Sequence, residues 1–234
     1  MNRYSVITEK NPREIVLLRG SGCKWRKCSF CDYHLDFSCD EEENFQLNKK
    51  ELAKVKGTYG NLETINSGSF CDLDEQTVEE ILRICGQRHI KRLHIECHWQ
   101  DRHSLAEIRQ RFAGAGVEVI VKMGVETFDA AFRDDVLLKG MEHAKPREIA
   151  RFADEVCLLF GLTGQTERSM RGDIETGLAY FRRVCVNLMT ENSTPIKPDR
   201  QVMTVFEKQI YPQYRDNERV DILLENTDFG VGGE

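Results

Sequence analysis

The sequence predicts an α/β fold, a partial (open) barrel of about six to seven parallel strands with helices between them. Short apolar runs alternate with segments of helical periodicity along the 234 residues. This alternation is typical of parallel strands joined by crossover helices. A doubly wound open sheet is the alternative closure. Because no stretch has the composition of a linker, we expect a single domain over residues 1–234.

The first half of the chain supplies four of the predicted strands, at residues 15–18, 62–65, 93–97 and 117–121. Helices are predicted between them, at residues 47–55, 75–85 and 105–112. Asp74 and Ser104 stand where a helix N-cap is expected. The acidic run at 40–43 is expected to be a solvated loop.

The second half continues the same alternation. Strands are predicted at residues 156–160, 184–188 and 220–224, and helices at residues 129–139, 146–153, 167–181 and 198–211. In parallel α/β folds, functional side chains lie at the carboxyl ends of the strands. Polar residues cluster at these predicted ends: Asn66, Ser67, Glu96, His98, Lys122, Glu126, Asn187, Glu225, Asn226 and Asp228. Any one of them could instead be a turn or cap residue.

Composition favours a small-molecule substrate. The formal net charge is -6, with 39 Asp and Glu against 33 Lys and Arg. This balance argues against nucleic-acid binding, since phosphate contacts require a basic surface. The apolar runs are too short to cross a membrane, and the first ten residues contain no apolar signal region. We therefore expect a cytoplasmic protein that does not bind membranes.

Nine cysteines in a cytoplasmic chain argue against a disulfide framework. Four lie in apolar or periodic segments and are expected to be small buried hydrophobes: Cys85, Cys97, Cys157 and Cys185. Cys39 and Cys71 have no obvious partner in the sequence.

The remaining cysteines, Cys23, Cys28 and Cys31, share one loop after the first predicted strand. Closely spaced thiolates bind zinc or iron–sulfur clusters. A zinc site would need a fourth ligand such as His34 or Cys39, and no second Cys-x-x-Cys pair is present. Three cysteines would leave one iron of a [4Fe-4S] cluster free to chelate a small molecule, so a cluster is favoured over zinc.

The Cx4CxxC spacing with an aromatic residue, Phe30, before the last cysteine resembles the radical-SAM superfamily. Many members have a three-residue first gap, whereas this chain has four residues there. The resemblance implies a barrel of the radical-SAM type, a [4Fe-4S] cluster on the three cysteines and S-adenosylmethionine (SAM) as the second cofactor. It also implies that Phe30 packs near the adenine and that Tyr33 contacts the adenine through its backbone.

Three further stretches resemble cofactor-binding motifs of that superfamily. The turn at Asn66, Ser67, Gly68 and Ser69 stands where members carry a Gly-Gly-Glu-like motif for the methionine amino group, but it lacks the acid. Lys122 to Thr127 resembles the end of the fourth strand, and the turn that contains Leu162 resembles a GLPGET turn. Lys122, Glu126 and Leu162 are therefore implied cofactor-binding residues.

Residues 17–23, 31–36 and 226–232 resemble one branch of the superfamily, related to the archaeosine-forming enzymes. That resemblance implies cleavage of the C–N bond of queuine, a 7-deazaguanine base, with release of preQ1. The alternatives are another radical-SAM enzyme, acting on a modified tRNA base or other small molecule, and a non-catalytic zinc or iron–sulfur module.

Candidate substrate residues follow from the chemistry of the base. Its pyrimidinone edge presents neighbouring N–H and NH2 donors, which a carboxylate accepts in two parallel hydrogen bonds. Glu96, Glu225 and Asp228 are candidates for that contact, and Asn66, Asn187 and Asn226 for the remaining polar groups. His98 or His34 could bond a diol hydroxyl or move a proton. Phe229 is a candidate lid on the base or a core residue.

The basic stretch at residues 24–27 lies beside the first cysteine. It could dock an acidic flavodoxin or ferredoxin as electron donor, or it could be an ordinary solvated charge run.

Overall fold

The computed structural model describes residues 1–233, apart from the side chain of His34. The chain divides into two compact units. The first unit comprises Met1–Arg26, Tyr33–Val121 and Phe229–Glu234, and the second comprises Lys27–Asp32 and Lys122–Asp228.

The first unit contains strands β1 (Tyr4–Ile7), β2 (Arg13–Leu18), β3 (Asn61–Asn66), β4 (Arg92–Glu96) and the first part of β5 (Glu118–Glu126). Its helices are α1 (Glu41–Leu52), α2 (Glu75–Gln87) and α3 (Leu105–Ala113). β2, β3 and β4 are parallel neighbours, as predicted. β1 pairs antiparallel with β2 and was missed by the sequence analysis, because this short strand is only partly buried and lacks an apolar run.

The helix starts of the first unit depend on capping. The Asp74 carboxylate accepts a hydrogen bond from the Thr77 amide at 2.7 Å, which confirms its predicted role as the cap of α2. The expectation of a loop at 40–43 was wrong. Asp40 caps α1 and three glutamates fill its first turn, where the helix dipole stabilises negative charge. Ser104 precedes α3, but its side chain makes no capping hydrogen bond.

The second unit contains the end of β5, then β6 (Glu155–Phe160), β7 (Arg183–Leu188) and β8 (Val220–Leu223), all parallel. Its helices are α4 (Pro146–Ile149), α5 (Glu167–Tyr180), α6 (Arg200–Val205) and α7 (Tyr211–Tyr214). Among residues 1–233, no helix is both long and apolar enough to cross a membrane.

Three predicted elements in the second unit have other bounds in the structure. β5 runs to Glu126 rather than ending at residue 121, so Lys122 lies inside the strand and not at its end. The predicted helix at 129–139 is reduced to a π-helical turn at Phe132–Val136, and α4 ends at Ile149, earlier than predicted. Apolar residues continue past residues 136 and 149, so the apolar pattern alone does not mark where either helix ends.

Contacts with α5 show which face of β6 and β7 is covered by a helix. A Cβ atom added to Gly177 of this helix would lie 2.5 Å from the Val184 side chain and 3.7 Å from that of Val156. Side chains alternate along a strand, so Cys157, Leu159, Cys185 and Asn187 project from the opposite face. That face lies away from the helix layer and carries the polar residue Asn187 toward the carboxyl ends of the strands.

Candidate functional site

In the first unit, the turn after β3 holds several predicted residues together. Asn66 ends the strand, and its side-chain amide donates to the Ser69 carbonyl at 2.9 Å. The Gly68 amide donates to the Asn66 carbonyl at 2.7 Å, which closes the turn around Ser67. The His98 amide, beyond the end of β4, donates to the Ser69 hydroxyl at 3.4 Å. The structure thus brings the Asn66–Ser69 turn next to His98.

Asp72 fixes this turn against the first part of the cysteine loop, and the sequence analysis missed it. Its buried carboxylate accepts from the Ser69 amide at 2.7 Å and lies 3.4 Å from the Lys24 ammonium. Its carbonyl accepts from the Ser21 amide at 2.9 Å. Burial raises the pKa of Asp72, against the opposing effects of the Ser69 amide and Lys24.

Gly68 lies where no side chain fits. A Cβ atom at this position would lie 2.5 Å from the Asp72 carboxylate and 3.0 Å from both the backbone nitrogen and the Cα atom of Cys23. The close approach of the turn to Cys23 therefore requires glycine at residue 68.

His98 and Glu96 lie at the end of β4. The His98 ring stacks on Trp25, with ring centroids 5.9 Å apart, and its Nδ1 accepts from the Gln100 amide at 3.3 Å. Glu96 is the last strand residue and is half-buried. Both predicted side chains therefore belong to the carboxyl edge of the first unit, as expected.

In the second unit, residues 28–32 are anchored by two loops. The Ser29 amide donates to the Leu137 carbonyl at 3.1 Å. From the other side, the Asn192 side chain donates to the Phe30 carbonyl at 2.7 Å. Two loops distant in sequence thus fix the backbone between Cys28 and Cys31.

Phe30 and Leu162 meet in one apolar cluster with Leu137, Leu159 and Met189. Cys28 and Cys31 pack against this cluster. The Leu162 amide donates to the Gln165 side chain at 3.0 Å, which holds the turn after β6 in place. The structure therefore joins two predicted cofactor residues with two of the predicted metal ligands.

Lys139 is the main residue of this unit that the sequence analysis missed. Its ammonium donates to Glu126 Oε1 at 2.7 Å and lies 5.6 Å from the Phe30 ring centroid. Burial alone would lower the pKa of Lys139, but the Glu126 carboxylate and the Cys28 and Cys31 thiolates outweigh burial and raise it. Lys139 is a cation beside two cysteines.

The backbone at Glu126 is strained in a way that supports this ion pair. Its φ is 67°, in the left-handed region that non-glycine residues rarely adopt, and a register shift in β5 lies between Gly124 and Glu126. A Cβ atom on Gly124 would lie 2.8 Å from Glu126 Oε1 and 2.9 Å from Lys139 Nζ. The bulge and the glycine therefore make room for the pair.

The other predicted residues of the second unit are dispersed. Lys122 is buried in β5 in register with Glu155, and Asn187 is half-buried on β7. Glu225, Asn226 and Asp228 form an exposed turn after β8. The Asp228 carboxylate accepts from the amides of Leu224 and Glu225, and the Asn226 side chain donates to the Thr190 hydroxyl. The Asp228 carboxylate thus closes its own turn.

Phe229 lies apart from the carboxyl edge of the first unit. Its ring packs against the Arg13 guanidinium at 4.9 Å, and Arg13 is the first residue of β2, ion-paired with Glu63. Tyr33 is exposed in a 3₁₀ turn at Tyr33–Leu35. The side chain of His34 lies outside the described residues.

Cys23, Cys28 and Cys31 are half-buried thiols that take part in no disulfide. Within the described part of the chain, no three His, Cys, Asp or Glu side chains are grouped around the position of a single metal ion. Three thiols and the buried Lys139 cation beside two of them have the donor chemistry that suits an anionic iron–sulfur cluster.

Comparison with known proteins supplies the family. No protein-family model and no curated protein sequence matches the chain. A solved structure of queuine lyase from Clostridium spiroforme bound to SAM and queuine is 44% identical, with a TM-score of 0.95, and the match covers 100% of both chains. Streptococcus suis SuiB bound to SAM is 12% identical, with a TM-score of 0.55, over 92% of this chain and 51% of SuiB, which shows a shared fold.

These similarities confirm the predicted fold class, an α/β fold of the partial parallel β/α barrel type. Residues 1–233 form eight strands rather than six to seven, because β1 is added to the seven that were predicted. With 44% identity over its whole length to the Clostridium spiroforme enzyme, the chain belongs to the queuine lyase family.

Proposed function

We propose that this protein is a radical-SAM lyase that cleaves the C–N bond of queuine and releases preQ1. The observation that carries the proposal is the full-length 44% identity to a queuine lyase whose structure holds SAM and queuine. The Cx4CxxC motif and the residues around it support the same chemistry. A small-molecule substrate follows from this relationship.

Cys23, Cys28 and Cys31 would hold a [4Fe-4S] cluster. When bound, the cluster supplies the electron that breaks the sulfonium C–S bond of SAM and so gives the 5′-deoxyadenosyl radical. The chain's own contribution is electrostatic and steric. Lys139 places positive charge beside Cys28 and Cys31, and the apolar cluster around Phe30 keeps water from that side.

SAM would be held by the residues that resemble the cofactor-binding motifs of the superfamily. Phe30 and Leu162 offer an apolar surface for the adenine, and the backbone of Tyr33 offers it polar groups. In the first unit, the Asn66–Ser69 turn presents Ser67 and Gly68 beside Cys23. The turn lacks the acid of the superfamily's Gly-Gly-Glu-like motif. The Asp72 carboxylate, which contacts the same turn, would take its place. Glu126 and Lys122 complete the proposed SAM contacts.

Queuine would be read by carboxylates and amides. Of the candidates for its pyrimidinone edge, Glu96 and Glu225 are favoured over Asp228, whose carboxylate closes its own turn. Asn66, Asn187 and Asn226 remain proposed partners for the other polar groups. His98 is the proposed proton carrier, and His34 is the second candidate for the same role. The contact of Phe229 with Arg13 favours a structural role over a lid.

The remaining parts of the proposal concern the cellular setting. The three proposed cluster ligands belong to one short stretch of the sequence, and residues 1–234 would act as one catalytic domain. The protein would be cytoplasmic, with no membrane or nucleic-acid partner, and a flavodoxin or ferredoxin would supply electrons. The exposed basic side chains beside the first cysteine, Lys24, Arg26 and Lys27, would contact such a donor.

The decisive experiment is anaerobic incubation of the reconstituted protein with SAM, a reductant and queuine, followed by mass spectrometry. We expect 5′-deoxyadenosine and preQ1, about four irons per chain, and loss of both products in Cys28→Ala. A protein with four irons that forms 5′-deoxyadenosine but leaves queuine intact would refute the proposal that queuine is the substrate. A colourless protein with one zinc would refute the radical chemistry.

Substitution of the carboxylates tests recognition of the base. Glu96→Gln or Glu225→Gln should weaken queuine binding by roughly tenfold or more, since one bidentate, charge-assisted contact is lost, while SAM cleavage without substrate persists. Glu207→Gln, an exposed glutamate away from the strand ends, is the matched control. Unchanged queuine affinity in both test variants would contradict the proposed recognition.

A further inference from the structure

In the second unit, the strand face opposite α5 carries a row of two thiols that ends at a carboxylate. Cys157 of β6 is the register partner of Cys185 of β7, and Cys185 is the register partner of Asp221 of β8. Val156 and Val184 face α5, so the residues that follow them, Cys157 and Cys185, face the other way. Register partners share a face, and Asp221 therefore lies beside this thiol row.

Longer side chains lie on both sides of the thiol row. Leu159 and Asn187 are register partners toward the carboxyl ends of β6 and β7, and Glu155 and Arg183 are register partners toward the amino ends. Successive rows on one face of a strand are two residues apart, which is roughly 6.6 Å. Because a cysteine side chain is short, the thiol row is a shallow depression between two taller rows, with a carboxylate at one end.

Asp221 is held firmly at that end. Its Oδ1 accepts a hydrogen bond from the Arg183 guanidinium at 2.9 Å, and the same guanidinium donates to the Glu218 carbonyl at 2.6 Å. The Asp221 side chain is 13% exposed, and its Oδ2 accepts no hydrogen bond from the residues that the structure describes. A carboxylate offers about four lone-pair sites, so this one can still accept donors from a ligand.

The thiol row adjoins the proposed cofactor residues. Leu159 packs in one apolar cluster with Phe30, and Cys28 and Cys31 pack against that cluster. Cys157 is two residues before Leu159 in β6 and therefore lies on the same face, one row away. A substrate group that approaches the proposed cofactor site from this face would extend over the thiol row toward Asp221.

We propose that Asp221 is a specificity-determining residue that binds the diol of queuine. This assignment rests on the proposed function. Two neighbouring hydroxyls can donate to one carboxylate, as a ribose hydroxyl donates to an acidic residue in dinucleotide-binding folds. The diol ring carries the nitrogen of the bond to be cleaved and so lies near the reacting centre. The pyrimidinone edge lies at the far end of queuine and is left to Glu96 or Glu225.

This contact would distinguish the substrate from the product. Release of preQ1 separates the base from the diol ring, and the pyrimidinone edge is the same in queuine and preQ1. A site that hydrogen-bonds a substrate hydroxyl disfavours a ligand without it, because the polar group of the site is then left unpaired. Asp221 should therefore strengthen the binding of queuine and have no effect on the binding of preQ1.

The test is equilibrium binding of queuine and of preQ1 to the anaerobic, cluster-loaded protein with SAM and without a reductant, so that no turnover occurs. Asp221→Ala should weaken queuine binding by about tenfold or more, since charge-assisted hydrogen bonds are lost, and should leave preQ1 affinity unchanged. Asp154→Ala is the matched control. Asp154 is also paired with an arginine and is 16% exposed, but it precedes β6 at the amino end of the strand.

Two further measurements separate a binding effect from poor folding. The SAM affinity and the melting temperature of each sample show whether the variant is folded. Asp221→Asn keeps the shape of the side chain and should show the same selective loss of queuine affinity to a smaller degree, which decides the outcome if Asp221→Ala is unstable.

Three results would overturn the proposal. If both Asp221 variants bind queuine as wild type does, Asp221 does not contact the substrate, and the proposed function is unaffected. If queuine and preQ1 lose affinity equally, Asp221 acts on the base and the assignment to the diol is wrong. A wild-type protein that binds SAM but not queuine would refute the proposed function and this assignment together.

Discussion

At the scale of single residues, Lys139 shows how the fold creates chemistry that the sequence does not display. It follows Leu138, whose φ of 54° turns the chain, and it reaches Glu126 thirteen residues earlier. Its charge is retained in a buried place because Glu126 and the two cysteines compensate for the loss of water. We infer that the Lys139 charge has two separable effects. It stabilises the buried Glu126 carboxylate, and it stabilises the Cys28 and Cys31 thiolates.

Lys139→Met should separate these effects when it is combined with Glu126→Gln. The single variant should lose about 3–5 kcal/mol of stability because Glu126 is left buried and unpaired, and the double variant should regain most of it. Iron retained per chain should be low in both variants, since the thiolates lose their cation in each. Lys139→Arg, which keeps the charge, is the control. Full iron content in the double variant would contradict a role toward the thiolates.

At the scale of elements, the turn after β3 is built for close approach. Gly68→Ala would place a methyl group 2.5 Å from Asp72 and 3.0 Å from the Cys23 backbone, so the turn and the loop must separate. We expect weaker SAM binding and less iron per chain, measured by calorimetry and iron assay. Gly86→Ala in α2 is the matched control. Nothing lies near its added Cβ atom, and helix propensity predicts a gain of about 0.5–1 kcal/mol. Equal iron content in the two variants would refute the packing argument.

At the scale of the whole molecule, Asp173 makes stability depend on pH. Burial raises its pKa to about 6, against a hydrogen bond of 2.7 Å from the Phe128 amide. A carboxyl whose pKa is raised by folding contributes stability that is fully present below its unfolded pKa near ~4 and lost as pH rises through the folded value. Ionised Asp173 therefore costs on the order of 2 kcal/mol above neutral pH.

Asp173→Asn should remove this cost and keep an oxygen for the Phe128 amide. The melting temperature of the variant should exceed that of wild type by several degrees at pH 7–8, and the difference should shrink toward pH 5. The exposed Asp216→Asn is the control. A difference that is constant across pH 5–8 would show that Asp173 does not titrate in this range.

The sequence by itself determined the features that depend on short-range pattern. The alternation of apolar runs and helical segments gave the α/β class and seven of the eight strands. The spacing of Cys23, Cys28 and Cys31 predicted the cluster motif, because ligands that lie in one loop are also close together in the sequence. The β1 strand was missed because its residues are partly exposed and carry no such pattern.

Only the tertiary structure decided which distant residues meet. The pairing of Lys139 with Glu126 and the contacts of Asp72 with Ser69 and Lys24 all join segments that are distant in sequence or belong to different elements. Parallel strands bring their carboxyl ends together although helices separate them in sequence, and one-dimensional periodicity has no signal for that proximity. Local chemistry was therefore predictable from the sequence, whereas the partners that tune it depended on the fold.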